Sequence, residues 1–134
     1  MLVSQLMTED VVRLGPDDDL LTARTMMWDE DVRHIPIVDT DGEIVGLVTH
    51  RDVVRLAGRA ARELTLSAQN DALSAVKVRD FMTTDVATIE SQSTINEAAE
   101  MMLENKFGCL PVVIGTRLAG ILTESDFVRL VARS

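Results

Sequence analysis

Two short runs place a hydroxyl and a carboxylate three residues apart behind a glycine: Gly46-Leu47-Val48-Thr49-His50-Arg51-Asp52 and Gly120-Ile121-Leu122-Thr123-Glu124-Ser125-Asp126. In each, apolar residues lead into Thr, the pattern of a strand turning into a helix. At such a junction Thr and Asp can satisfy the unpaired N–H groups of a helix N-terminus. The same geometry suits a ligand. Helix N–H groups attract an anion, a hydroxyl can bond phosphate, and an outward carboxylate can accept both hydroxyls of a ribose. Capping is the simpler account of either run alone, and the two roles are compatible.

The runs are parts of a longer duplication. Residues 3–56 return at 78–130, pairing Val3 with Val78, Met7 with Met82, Thr8 with Thr83, Val11 with Val86, Met27 with Met102 and Pro36 with Pro111. After one residue is lost in a turn, Gly46 meets Gly120, Thr49 meets Thr123, Asp52 meets Asp126 and Arg55 meets Arg129. A repeat too small to bury a good core alone is expected to pair with its copy, and the groove between copies is a natural binding site.

The elements that position these residues read alike in both copies. A β-prone stretch, Val11–Leu14 or Val86–Ile89, follows Met-Thr. A helix comes next, capped by Asp19 in the first copy and by Thr94, with Glu97 at capping-box spacing, in the second. Its core face is expected to carry Leu20, Ala23, Met27 and Trp28, or Ile95, Ala98, Ala99, Met102 and Leu103. Two strands then flank Asp39-Thr40-Asp41-Gly42-Glu43 or Gly115-Thr116-Arg117, and the Pro of each is expected at an edge or strand start. A second helix starts near Asp52 or Asp126. The fold class is therefore α/β (α+β), with two β-α-β-β-α repeats at 1–58 and 78–134. The connector 59–77 is expected to pack on the module through Leu64, Leu66, Leu73 and Val76, with a polar turn at Gln69-Asn70-Asp71.

Composition narrows the function. The 134 residues are 46% hydrophobic and 26% charged, suiting one compact module. No apolar run approaches the roughly 20 residues of a membrane span, and no basic-then-apolar leader opens the sequence, so a cytoplasmic protein is expected. A net charge of −9 argues against nucleic acid and anionic membranes as partners. With no Tyr, one Trp and three Phe, a base-stacking platform is not expected. The single cysteine, Cys109, cannot form an internal disulfide.

Other reactive groupings are weaker. His34 and Cys109 occupy equivalent positions and could act as base and nucleophile if brought together, but partly buried strand-start residues account for both. Two His and one Cys without close spacing make a poor metal set. Asp17-Asp18-Asp19 reads as a turn and helix cap. No catalytic residue and no metal ligand is assigned. A nucleotide hydrolase would need a base near phosphate, for which only His50 or His34 qualifies by type.

The Met-Thr opening, the helix, the apolar-Pro-apolar-apolar strand, the Gly-apolar-apolar-Thr-x-x-Asp turn and the tandem arrangement together resemble the cystathionine β-synthase (CBS) domain in its usual pair, or Bateman module. The resemblance implies two repeats packed about a pseudo-two-fold axis, two clefts for adenosine-containing ligands, and dimerisation through the second helices. It implies AMP, ADP or ATP as ligand, with S-adenosylmethionine or NADH as further candidates, and a regulated partner protein. Thr49 and Asp52 would serve one cleft, with Val11, Ile35 and Pro36 as adenine walls. Thr123 and Asp126 would serve the other, with Val86, Leu110 and Pro111.

The copies diverge in charge around these residues. The first has His50 and Arg51 after Thr49, and Arg33 and His34 before Ile35; the second has Glu124 and Ser125, and Gly108 and Cys109. Cations strengthen phosphate contacts and Glu124 would repel them. Unequal sites are expected, the Thr49/Asp52 site preferring phosphate-bearing adenosines unless Lys106 or Arg117 compensates at the other. The expected function is an adenosine-nucleotide sensor without enzymatic activity, the alternative being an interaction module whose caps are only caps.

Overall fold

A computed structural model describes residues 1–134, the side chain of Glu63 excepted. The fold is mixed α/β. In chain order the helices are α1 (Val3–Leu6), α2 (Leu20–Glu30), α3 (His50–Glu63), α4 (Leu66–Ala75), α5 (Ile95–Asn105) and α6 (Glu124–Ala132). The strands are β1 (His34–Val38), β2 (Ile44–Thr49), β3 (Ile89–Glu90), β4 (Cys109–Ile114) and β5 (Arg117–Thr123), and Val78–Asp80 forms a 3-10 turn. The chain divides into two compact units: residues 12–86, termed the α3 unit, and residues 1–11 with 87–134, termed the α6 unit.

These units cut across the sequence repeats at their opening segments. In the α6 unit, Val3 is fully buried beside Leu110 and Leu122. The N–H groups of Val3 and Ser4 donate to the carbonyls of Ser93 and Ser91 at 2.8 and 2.9 Å, and Thr8 exchanges two backbone bonds with Ile121. In the α3 unit the equivalent Val78 is buried, its N–H donating to the Asp18 carbonyl at 2.7 Å, and Thr83 exchanges two bonds with Leu47. Each opening segment thus completes the unit built on the other repeat. Whichever copy hosts it, the segment offers the same Val, Met and Thr, so either pairing satisfies the same apolar and hydrogen-bonding needs.

Both units use one strand plan. β1 pairs antiparallel with β2, Leu14 bridges Ile37 in parallel on one side, and Thr83 bridges Leu47 on the other. In the α6 unit β3 runs parallel to β4, β4 antiparallel to β5, and Thr8 bridges Ile121. The β-prone stretches are shorter than expected, reduced to the Leu14 bridge and to Ile89–Glu90. Pro36 and Pro111 are also not at strand starts or edges: both are buried in the inner strand of each plan. They pair with Leu47 and Ile121, whose own N–H and C=O groups face Thr83 and Thr8. These are non-hydrogen-bonded pairs, and no ladder donor to β2 or β5 is missed.

Hairpin turns follow the sequence signals. Asp39 Oδ1 accepts the N–H groups of Asp41 and Glu43 at 2.9 and 3.0 Å, and Gly42 takes φ 81°. Gly115 takes φ 66° in the tighter second turn. A left-handed conformation at both positions favours glycine.

Each unit has its own core. Leu20, Ala23, Met27, Ile35, Ile37, Val48, Val53, Leu73 and Val78 cluster in the α3 unit. Val3, Ile89, Ala98, Met102, Leu110, Val112 and Leu122 cluster in the α6 unit. Full burial of a side chain of this kind contributes about 1.5–3 kcal/mol. Trp28 and Leu103, expected on the core faces of α2 and α5, are instead 86% and 79% exposed. They follow Met27 and Met102 by one residue, and a rotation of about 100° per residue carries them off the buried stripe. The connector differs too: α4 runs straight through Gln69-Asn70-Asp71, capped by Thr65, and packs through buried Leu73 against α2 and α3. Leu64 and Leu66 are exposed rather than packed.

Candidate functional site

The two strand-to-helix junctions are built alike. β1 brings His34 opposite Thr49, and the first N–H of α3, from His50, donates to the Arg33 carbonyl at 2.8 Å. β4 brings Cys109 opposite Thr123, and the Glu124 N–H donates to the Gly108 carbonyl at 3.2 Å. The residues before β1 and β4 therefore lie beside the helix starts, as the charge comparison of the two copies requires.

At the α3 junction, Thr49 Oγ1 donates to Asp52 Oδ2 at 2.9 Å and accepts the Asp52 N–H at 3.3 Å. The Thr49 N–H reaches the same carboxylate oxygen at 3.4 Å. Asp52 Oδ1 faces Arg55 Nη2 at 3.4 Å, and the Asp52 side chain keeps 23% of its surface exposed. Arg33, His50 and Arg51 are exposed around it, while Ile35 and Pro36 are buried in β1. Two arginines and a histidine at a helix N-terminus favour an anion there.

At the α6 junction the same residue types are bonded differently, with the backbone N–H and the arginine closer to the carboxylate and the threonine hydroxyl farther from it. The Thr123 N–H donates to Asp126 Oδ2 at 2.8 Å, with Thr123 Oγ1 at 3.4 Å. Arg129 Nη2 donates to Asp126 Oδ1 at 2.7 Å, and the Asp126 side chain is only 7% exposed. Glu124 and Ser125 are exposed, and Leu110 and Pro111 are buried in β4. Arg117 opens β5 and Thr123 closes it, so six residue steps, or about 20 Å of strand, separate them within this unit. Arg117 therefore does not compensate for Glu124 there.

The units redistribute the apolar residues named from the first β segments. Val86 belongs to the unit holding Thr49 and Asp52, and Val11 to the unit holding Thr123 and Asp126. That is the reverse of a grouping by repeat, and it follows from the exchanged opening segments. Sequence reasoning also passed over Arg55 and Arg129. Their signal was available: both align in the two copies, three residues after the Asp, where helix geometry makes side chains neighbours.

The motif glycines acquire a reason. A Cβ on Gly120 would lie 2.6 Å from Met7 Sδ and 2.8 Å from the Thr8 carbonyl oxygen. On Gly46 it would lie 2.5 Å from Met82 Sδ and 3.2 Å from the Thr83 carbonyl oxygen. The Met-Thr segments thus lie directly over the strands that lead into α3 and α6, closing the backbone against which Thr49 and Thr123 are set.

Alternative chemistry finds little support. Burial pushes the Cys109 thiol up to about 12, so it is not an activated nucleophile. The acidic run is consumed by structure: Asp17 pairs with Lys77 and Arg79, Asp18 accepts the Gly15 N–H at 2.7 Å, and Asp19 caps α2 through the Thr22 N–H at 2.7 Å. Among the described residues no cluster of His, Cys, Asp or Glu could hold a metal ion, and no helix is long and apolar enough to cross a membrane.

Comparison with known proteins places these junctions in context. A family model for the CBS domain matches residues 3–59 and 78–133. A CBS domain-containing protein of Dictyostelium discoideum is 31% identical over 139 residues, covering 99% of this chain and 92% of that protein. The crystal structure of CBSX2 in complex with AMP is similar at TM-score 0.81 and 26% identity, covering 98% of this chain and 96% of that one. The CBS-domain containing protein of Agrobacterium tumefaciens is similar at TM-score 0.77 and 28% identity over the whole of both chains. Other curated relatives are longer, and the chain spans 22% to 42% of the length of several of them.

Proposed function

The chain belongs to the CBS domain family and carries the domain twice, and from that premise we propose that it is a regulatory module binding adenosine-containing ligands at the α3 and α6 junctions. The observation that carries the reading is the accessible Asp52 carboxylate, held by Thr49 at a helix N-terminus beside Arg33, His50 and Arg51. The carboxylate would accept the two ribose hydroxyls, and the helix start with its cations would receive phosphate. That a chain similar over nearly its whole length was solved with AMP supports the ligand class. Buried Ile35 and Pro36, with Val86 of the same unit, and Leu110 and Pro111, with Val11, would back the base.

The α3 junction is the better phosphate site in this reading, because the α6 junction presents Glu124 and Ser125 in place of His50 and Arg51. AMP, ADP and ATP are the leading ligands, with S-adenosylmethionine or NADH as further candidates, of which the cationic S-adenosylmethionine better suits the less cationic junction. Binding would act on a partner protein by linkage, shifting an equilibrium between arrangements only as far as the ligand's affinities for them differ. A second copy of the chain is the proposed companion, meeting the exposed Val54 of α3 and Val128 and Val131 of α6. The lone buried thiol suits a reducing cytoplasm.

Titration calorimetry with AMP, ADP, ATP, S-adenosylmethionine and NADH tests the reading. Heat of binding from at least one, unaccompanied by turnover over hours, is the expected result; silence from all five overturns it. A second reading, a module whose caps are only caps, draws on the fact that Thr49 and Asp52 already satisfy one another. It predicts that Asp52→Ala lowers thermal stability and changes no affinity.

A further inference from the structure

The two Asp side chains share one sequence context, Asp-x-x-Arg, yet their carboxylates differ in what they have left to offer. At Asp126, Oδ2 accepts the Thr123 N–H at 2.8 Å and Oδ1 accepts Arg129 Nη2 at 2.7 Å, with 7% of the side chain exposed. At Asp52 the corresponding distances are both 3.4 Å and 23% is exposed; Oδ2 accepts Thr49 Oγ1 at 2.9 Å instead, which leaves Oδ1, facing Arg55, as the oxygen on offer. A contact at 2.7 Å is a full charge-assisted hydrogen bond, whereas one at 3.4 Å is marginal. Approaching hydroxyls also need unobstructed lone pairs, and burial leaves few on Asp126. Arg129 is itself 52% exposed, so it can swing into solvent without unpacking the helix.

We infer that Arg129 is a positioning residue that competes with a ligand diol for the Asp126 carboxylate, latching the α6 junction, while Arg55 leaves Asp52 open. The inference rests on the proposed ribose role of the Asp residues and goes beyond it, because it makes a residue outside the Thr-x-x-Asp run set which junction fills first. It also adds a cause of asymmetry independent of phosphate. An uncharged nucleoside should sense the latch, although it cannot sense Arg51 or Glu124 as a phosphate does.

Adenosine titrated calorimetrically into the full chain carrying Asp52→Ala reads the α6 junction alone. Adding Arg129→Gln should tighten adenosine binding about two- to fivefold, the range expected for losing a half-exposed ion pair. Arg129→Lys, which keeps the charge, should stay near the parent. Raising salt from about 0.05 to 0.5 M should tighten binding to the parent only slightly, since a contact pair with one buried partner is weakly screened, and leave Arg129→Gln unchanged. A merely structural arginine would show neither the gain nor the salt dependence. Equal or weaker binding after Arg129→Gln overturns the latch. Adenosine binding to neither protein overturns the ribose role at this junction and the latch with it, a result distinct from the former. Arg129→Met, a second variant that removes the charge from this half-exposed side chain, repeats the reading where Arg129→Gln fails to fold.

Discussion

The α3 and α6 junctions started from one sequence and differ now in three physical respects. Around Asp52 lie exposed Arg33, His50 and Arg51; around Asp126 lie Glu124, Ser125 and the uncharged Gly108 and Cys109. Asp52 is partly open, its Oδ2 held by Thr49 Oγ1 but its Oδ1 only loosely by Arg55, whereas Asp126 is buried and tightly paired with Arg129. The Met-Thr segment rests on Gly120 with its backbone oxygen closer than it does on Gly46. The difference teaches that a duplicated scaffold can keep its Thr-x-x-Asp cap residues while charge, bonding and burial move the two copies toward unequal tasks. What the copies retain is what folding requires: the cap, the close-packed glycine and the buried strand. What they have altered lies one or two residues away, mostly on surfaces that the core does not constrain, the buried Cys109 excepted.

Core truncation should show the smallest difference between units and the largest effect. Ile35→Ala and Leu110→Ala remove fully buried side chains at equivalent places, and each should cost about 2–5 kcal/mol in denaturant unfolding. A loss confined to one of them would break the equivalence of the two cores.

Glycine substitution should separate the units. In Gly120→Ala the new methyl meets a backbone oxygen at 2.8 Å, which only a shift of the Met-Thr segment can relieve. In Gly46→Ala the closest atom is the flexible Met82 sulfur, with backbone at 3.2 Å. Both overpack, at about 1–3 kcal/mol, and Gly120→Ala should lie at the upper end of that range by thermal unfolding. The reverse order would refute the tighter closure of the α6 unit.

The third contrast concerns the residues before the motif strands. Folding raises the Cys109 thiol from an ordinary 9.0 to about 12 through burial. A raised value means that the native state favours the protonated thiol. Its contribution to stability is therefore complete below about pH 9 and is lost as pH climbs from 9 toward 12. Cys109→Ala should remove that component of the alkaline fall, and the native thiol should resist a disulfide exchange reagent at pH 8 until the protein unfolds. Rapid labelling of the native protein would contradict the burial that distinguishes Cys109 from half-buried His34.

Much of this arrangement was legible in the sequence because it is local. Asp19 and Thr94 cap their helices through N–H groups three residues on, and Asp-Gly turns the first hairpin; such contacts need no knowledge of the rest of the chain. The Thr and Asp of each junction were visible for the same reason. Long-range choices were hidden. Val3 and Val78 fit either core, so periodicity could not say that each opening segment would join the other repeat's unit. Trp28 and Leu103 sit beside buried methionines, and a weakly amphipathic α2 gives no sharp edge to its core face. Gln69-Asn70-Asp71 reads as a turn by composition, but Thr65 caps a helix that Leu73 anchors in the α3 core, and tertiary burial overrides that preference. Arg55 and Arg129 were seen as aligned residues without a role, since their importance depends on how far each Asp is buried.

AMP titrated calorimetrically into the wild type, Asp52→Ala and Asp126→Ala tests the unequal junctions most directly. The account predicts that Asp52→Ala weakens the tighter binding event about ten- to a hundredfold, as expected for the loss of a charged acceptor. Asp126→Ala should leave that event in place and alter only the weaker one. Loss of the tighter event in Asp126→Ala with retention in Asp52→Ala, or unchanged AMP binding in both, would contradict it.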